Sequence, residues 1–208
     1  CNLKNKFSFR LFVDDAHGIG TMGKNGRGTG EHFGVQDEID IYFGTFAKSF
    51  SSIGAFISSK KKIIDYLKYT TRSQIFAKSL PMPLVIGAIK RLEMIRTQPE
   101  LKNQLWYVTN LLQKGLRHEG FDLGKTESCV TPVWLEGGVT ESTNLTFDLR
   151  ENHGIFCSIV TYPVIPKGKI MLRLIPTAVH TEDDVIKTVK AFTEVKEKLF
   201  SGQYITEK

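Results

Sequence analysis

The sequence predicts an α/β protein in two parts, with strands and helices followed by a long linking helix and then a smaller α+β unit. Three observations predict this. Short apolar runs in the first hundred residues, such as Leu11-Phe12-Val13, end abruptly in polar or glycine-rich turns, as buried strands do. Leu101, Leu105, Val108, Leu112 and Leu116 recur at three-to-four spacing, the mark of a long amphipathic helix. Beyond Gly120 the texture changes to short strand and helix candidates in alternation.

The elements are expected in the following order. Residues 9–13 form a first buried strand that stops at Asp14-Asp15. Residues 18–34 carry seven glycines and neither the helical nor the strand period, so they read as a long loop, and loops of this length tend to be functional. Residues 39–46 and 53–57 are the second and third strands, on either side of a short polar segment containing Lys48. Ile63, Ile64 and Leu67 fit one helix, and residues 84–95 another, begun by Pro81 and Pro83. The linking helix follows and is closed by Gly120. Residues 130–135, 154–160 and 170–175 are strand candidates, with helices near 142–152 and 181–200. The last helix is striped by Val185, Val189, Phe192 and Leu199. Thr181 before Glu182, Asp183 and Asp184 is a good helix start, because acids there complement the N-terminal dipole. Thr97-Gln98-Pro99 interrupts the pattern, which places a domain boundary near residue 98 and gives parts 1–98 and 99–208.

Composition narrows the function classes. The chain has 208 residues, a formal net charge of +6, 41% hydrophobic and 11% aromatic residues, enough to bury a core and unlike a disordered sequence. No apolar run approaches the roughly 18 residues that a membrane span needs, and no signal-peptide pattern is present. Cys1, Cys129 and Cys157 are too few and too far apart for a disulfide framework or a zinc ribbon. Reduced thiols and a cytoplasmic location are therefore expected. Lys60, Lys61 and Lys62 are the only tight basic run, the solvated start of a helix rather than a nucleic-acid patch, so no nucleic-acid partner is expected. The chain opens on Cys1 and reaches a strand almost at once, as an excerpt from a longer protein would.

Three constellations carry chemistry. Asp14-Asp15-Ala16-His17 closes a strand, and open α/β sheets place ligands outside the carboxyl ends of their strands. Gly44-Thr45-Phe46-Ala47-Lys48-Ser49 also follows a strand; it offers a nucleophilic amine between hydroxyls suited to phosphate. Arg173 lies inside Met171-Leu172-Arg173-Leu174-Ile175, where a guanidinium needs a partner, either an internal carboxylate or a ligand.

Together with Gly23-Lys24-Asn25-Gly26-Arg27-Gly28, with Ile75-Phe76-Ala77-Lys78-Ser79-Leu80-Pro81, and with Arg173 through Ala178-Val179-His180-Thr181, these segments stand in the order seen in one family. From about residue 8 to 200 the chain resembles the C-terminal half of an α-oxoamine synthase, a pyridoxal-phosphate (PLP) enzyme of the class II aminotransferase type. Residues 39–50 and the Ile53-Gly54-Ala55-Phe56 continuation most resemble bacterial serine palmitoyltransferases. Glycine C-acetyltransferases and 8-amino-7-oxononanoate synthases are the next relatives.

The resemblance implies the aspartate-aminotransferase fold (type I), with part of a mostly parallel large-domain sheet in 1–98 and a small α+β domain in 99–208. It implies PLP held through the Lys48 amine. Asp14 would pair with the ring nitrogen, His17 would hydrogen-bond the phenolic oxygen, and Thr45 would bind the phosphate. Arg173 would clamp the amino-acid carboxylate. Lys78 stands where many relatives carry a hydroxyl that reaches the partner subunit's phosphate, and would serve there as a point charge. Ser51 and Ala55 stand where relatives often have glycine. The implied reaction is decarboxylative condensation of an amino acid, serine by this resemblance, with an acyl-CoA, in a homodimer with active sites at the subunit interface. A lipid product implies peripheral membrane contact. The family's ring-stacking aromatic or His and its Gly-rich phosphate turn belong upstream of Asp14, so the 208-residue chain alone is expected to be weakly active or inactive.

Three other readings compete. Val13-Asp14-Asp15-Ala16-His17 is similar to the acidic motif of helicase-type ATPases, but no Gly-x-x-x-x-Gly-Lys-Ser/Thr loop precedes it. An inactive truncated relative acting only as a pairing subunit is the reading from another class. A metal site from Asp14, Asp15, His17 and His32 lacks a tight ligand set, so no metal is expected.

Overall fold

The computed structural model describes residues 1–205, which separate into two compact units, Cys1–Lys102 and a second beginning at Asn103. The first unit holds a three-stranded sheet ordered β1-β2-β3, with β1 at Phe12–Asp14, β2 at Ile41–Thr45 and β3 at Ala55–Ser59. β1 and β2 are parallel, with Phe12 opposite Ile41 and Asp14 opposite Phe43; β3 returns antiparallel, Thr45 opposite Ala55. Of these two pairings, one is parallel and the other antiparallel. Four helices accompany the sheet: α1 (Thr29–His32), α2 (Lys61–Thr70), α3 (Arg72–Phe76) and α4 (Met82–Thr97).

α1 interrupts what reads in sequence as an unbroken loop, and α3 carries no sequence period long enough to reveal it. The first strand is also less buried than its apolar run implies, since Phe12 is 53% exposed and stacks on Phe43 at 6.5 Å.

α5 (Pro99–His118) begins in the first unit and runs into the second. Its stripe is built as the spacing requires: Leu105, Val108, Leu112 and Leu116 are buried, whereas Leu101 is exposed. Gly120, at φ 71°, closes the helix in the left-handed region that only glycine enters freely, and Phe121 N–H then reaches back to the Leu116 carbonyl at 3.0 Å.

The second unit has an antiparallel sheet ordered β4-β6-β5, from β4 (Thr131–Glu136), β5 (Ser158–Val160) and β6 (Lys169–Leu174), with helices α6 (Val139–Glu151) and α7 (Glu182–Phe200). β5 is shorter than its apolar run because residues 154–157 are not strand. Strand alternation sends Val133, Leu135, Ile170, Leu172 and Leu174 into one core with Leu145, Leu149, Phe192 and Val195. Thr181 caps α7: its hydroxyl accepts from Asp184 N–H at 3.3 Å, and the Asp184 carboxylate accepts from Thr181 N–H at 2.8 Å, which lowers the Asp184 pKa.

At the far end of α7, Asp148 of α6 is buried and accepts from Lys198 at 2.8 Å, from Asn152 at 2.5 Å and from the Tyr204 hydroxyl. Burial alone would raise its pKa, but these donors hold it down to about 2.

Candidate active site

The end of β1 sends two adjacent carboxylates in opposite directions, because successive strand residues face opposite sides of a sheet. Asp14 pairs in register with Phe43, so it shares a face with Phe43 and, two residues on, with Thr45. Asp14 is exposed; its Oδ1 accepts from Ala16 N–H at 3.0 Å, and no donor among the described residues reaches Oδ2.

Asp15 goes the other way and is only 3% exposed. Its carboxylate accepts from the Tyr42 hydroxyl and from Thr29 N–H, both at 2.8 Å. Burial first, then the Asp15 charge, push the Tyr42 hydroxyl far above its ordinary pKa, so it remains a donor. Asp15 therefore closes the glycine-rich loop onto the sheet. Gly28, at φ 102°, is the close-approach point: a Cβ there would lie 1.9 Å from Asp15 Oδ2 and 2.6 Å from the Tyr42 oxygen.

The loop is tied at two further places. The Glu31 carboxylate accepts from Asn25 N–H at 3.0 Å, Asn25 Nδ2 at 2.6 Å and Arg27 N–H at 3.1 Å, and its pKa is lowered by these bonds against the opposing effect of burial. Lys102 Nζ donates to the carbonyls of Gly23 and Lys24 at 2.5 and 2.7 Å. His17 sits at the start of this loop, exposed, with its carbonyl accepting from Thr21 Oγ1 at 2.7 Å.

Lys48 lies three residues past β2, on a loop closed at its base by Phe46 N–H to Gly54 O at 2.9 Å and Ser52 N–H to Phe46 O at 2.7 Å. Thr45 Oγ1 donates to Gly54 O at 3.2 Å and accepts from Ala47 N–H at 3.1 Å. Ser49 Oγ donates to Ile19 O at 2.7 Å, which joins the Lys48 loop to the glycine-rich one. Phe50, 2% exposed, packs its ring edge on Phe46 at 5.3 Å. On this fixed base the Lys48 side chain is exposed, and no hydrogen bond or ion pair among the described residues engages its ammonium.

Asp14, His17, Thr45 and Lys48 are thus gathered at the carboxyl ends of two neighbouring parallel strands. Lys78 is in the same unit, between α3 and α4, exposed and at φ 63°. Arg173 belongs to the second unit, on the face of β6 turned away from the core. Its Nε donates to Ser158 Oγ at 3.2 Å, and no carboxylate pairs with it among the described residues. No group of three His, Cys, Asp or Glu side chains is placed to hold a metal among the described residues; the two strand-end aspartates face apart.

Sequence reading missed two residues here. Asp15 is a structural acceptor, which the alternation of strand side chains could have shown. Ser52 carries a buried hydroxyl with no partner among the described residues, beside the Lys48 loop, and nothing in the sequence marks it.

The chemistry of this set fits PLP: an unpaired amine, a carboxylate with one open oxygen, an imidazole, and hydroxyls including the orphaned Ser52.

A family model described as aminotransferase class I and II matches residues 1–192. The chain belongs to the class I and II aminotransferase family. Its relatives within that family are α-oxoamine synthases, as the ordered motifs imply. A cysteate-C-fatty acyltransferase of Capnocytophaga ochracea is 59% identical over 202 residues, 97% of this chain and 48% of that protein. A serine palmitoyltransferase of Sphingobacterium spiritivorum is 35% identical over 193 residues, 93% of this chain and 48% of that protein. The solved serine palmitoyltransferase of Sphingomonas wittichii superposes with a TM-score of 0.86 at 28% identity, covering 98% of this chain and 50% of that one.

This class I and II member spans about half the length of the curated relatives it matches. Its fold is that of the fold-type-I PLP transferases, and the family it belongs to is PLP-dependent. No helix among its described residues is long and apolar enough to cross a membrane.

Proposed function

We propose that the chain is part of a PLP-dependent acyltransferase that condenses cysteate with a fatty acyl-CoA, releasing CoA and CO2 and leaving an amino ketone. The observation that carries this reading is the 59% identity to a cysteate-C-fatty acyltransferase, against 35% to a serine palmitoyltransferase over nearly the same span. The motifs alone point to serine, and serine is the second reading. Residues 1–102 supply part of the cofactor domain and residues 103–208 the small domain. The working assembly is a cytoplasmic homodimer that meets the membrane at its surface, where a lipid product would leave.

In this reading Lys48, Asp14, His17 and Thr45 hold the cofactor, and Arg173 holds the amino acid. Bound through the Lys48 amine, PLP would supply an electron-withdrawing ring that stabilises negative charge at the amino acid's α-carbon. The Asp14 carboxylate would keep a proton on the ring nitrogen by charge pairing. His17 would hydrogen-bond the phenolic oxygen, and Thr45, Ser52 and Lys78 would serve the phosphate. Arg173 would fix the amino-acid carboxylate. Once the substrate amine had released it, the Lys48 amine would be free to take the α-proton. A bond would then form from the α-carbon to the acyl carbonyl as the thiolate leaves, the carboxylate would depart as CO2, and the Lys48 ammonium would return a proton to the α-carbon.

The test is an assay of the whole protein with cysteate, serine, glycine and alanine against palmitoyl-CoA, together with the Lys48→Ala variant. Cysteate should exceed serine in kcat/KM by about tenfold or more, the size of effect one charged contact supplies, and Lys48→Ala should abolish turnover. Equal or better use of serine would sink the cysteate assignment. Turnover retained in Lys48→Ala would sink the PLP reading as a whole.

A further inference from the structure

Arg173 is a half-buried cation with a neutral partner. On β6, Ile170, Leu172 and Leu174 are buried, so Lys169, Met171 and Arg173 occupy the opposite face. The rung at Arg173 is flanked on one side by Pro132 of β4 and on the other by Ser158 of β5. Pro132 brings a ring with no donor or acceptor. Ser158 brings a hydroxyl, and it accepts Arg173 Nε–H at 3.2 Å. Because Ser158 is itself paired by backbone register, with Ile159 and Val160 following opposite Leu172 and Met171, its hydroxyl is held by the sheet.

A guanidinium offers a carboxylate two useful edges, the end-on pair of Nη groups and the side pair that includes Nε. With Nε taken by Ser158, the end-on pair remains. The partner is neutral, so the positive charge is left for a ligand. A carboxylate in place of Ser158 would have neutralised it.

We propose that Ser158 is a positioning residue, which fixes the plane of the Arg173 guanidinium so that its two Nη groups meet the substrate carboxylate end-on. The proposal rests on the reading that Arg173 binds that carboxylate, and it adds the residue that sets the geometry. The hydroxyl acts through Arg173 and does not touch the reacting atoms.

The experiment compares Ser158→Ala, Ser158→Thr and Arg173→Lys in the whole protein. Ser158→Ala should raise KM for the amino acid about five- to tenfold, with kcat within about twofold and KM for the acyl-CoA unchanged; Ser158→Thr, which keeps the hydroxyl, should restore KM to within about twofold. A readout independent of turnover comes from arginine labelled with nitrogen-15. The Arg173 Nε–H signal should exchange slowly in the parent and in Ser158→Thr, and broaden or vanish in Ser158→Ala. An unchanged KM and an unchanged Arg173 signal in Ser158→Ala would overturn the proposal. So would a fall in kcat that threonine does not rescue. If Arg173→Lys leaves the amino-acid KM at its parent value, the carboxylate reading itself fails, whatever Ser158 does.

Discussion

The two units of this chain differ in what their described residues bury and tie together. The second buries one apolar core, from Val108 to Tyr204, in which Leu116, Val133, Leu145, Leu149, Ile170, Leu172, Phe192 and Val195 have almost no exposure. The first buries few large apolar side chains, Met22, Tyr42 and Phe50, and exposes Phe12, Ile53, Ile57 and Phe76. It also carries polar ties: the Asp15 carboxylate under Gly28, the Glu31 carboxylate around Asn25, and the Lys102 ammonium on two loop carbonyls. The candidate site is in the polar unit. A reactive edge of exposed groups is more easily built on loops pinned by hydrogen bonds than on a close-packed core, since the pinning groups face inward and leave the opposite side chains free. Asp14 and Asp15 show this division within two residues.

The sharpest way to break this contrast is a pair of phenylalanine truncations. Phe192 is 0% exposed and meets Phe121 edge-on at 6.0 Å, so Phe192→Ala should cost about 3–5 kcal/mol and unfold the second unit at low urea. Phe12→Ala, at a site 53% exposed, should cost less than about 1 kcal/mol. Urea titrations followed by amide exchange in each unit measure both. Equal losses would show that the first unit depends on apolar burial as much as the second does.

The polar tie is tested by Asp15→Ala. Two inward donors, the Tyr42 hydroxyl and Thr29 N–H, lose their acceptor, at about 1–3 kcal/mol for a buried group left unsatisfied. The loss should be local, with faster amide exchange at Thr29 and Gly28 and little change at Leu172. In ultraviolet titration the Tyr42 hydroxyl should ionise at lower pH than in the parent, because the Asp15 charge no longer opposes it. A tyrosine titration that does not move would show that the carboxylate does not hold this loop in solution.

Where burial follows a period, the sequence is legible. The stripe from Leu105 to Leu116 and the Thr181 start of α7 needed only spacing and capping chemistry. The ordered motifs around Asp14, Lys48 and Arg173 were enough to reach the α-oxoamine synthases. What escaped depended on pairing across the sheet. Asp15 reads as a twin of Asp14 until the pleat separates them, and the partner of Arg173 is Ser158, fifteen residues away and visible only through β5–β6 register. The proposal of cysteate over serine has no local signature either. It rests on identity summed over the whole chain, because a specificity pocket is assembled from residues distant in sequence.

The smallest expected effect bears on the Lys48 loop itself. Ser51 and Lys78 are the two non-glycine residues with positive φ among those described, at 43° and 63°, and both stand in segments that carry proposed cofactor ligands. A side chain in the left-handed region costs about 1–2 kcal/mol, which glycine avoids at some entropic loss, so Ser51→Gly should stabilise the first unit by about 0.5–1 kcal/mol. Strain of this kind persists only where surrounding bonds over-determine it, here Ser51 N–H to Lys48 O at 2.9 Å and Ser52 N–H to Phe46 O at 2.7 Å. Exchange at the Ser52 amide should slow with the added stability. If Ser51→Gly instead destabilises the unit, the turn in solution is not left-handed, and the serine carries no strain for the glycine to relieve.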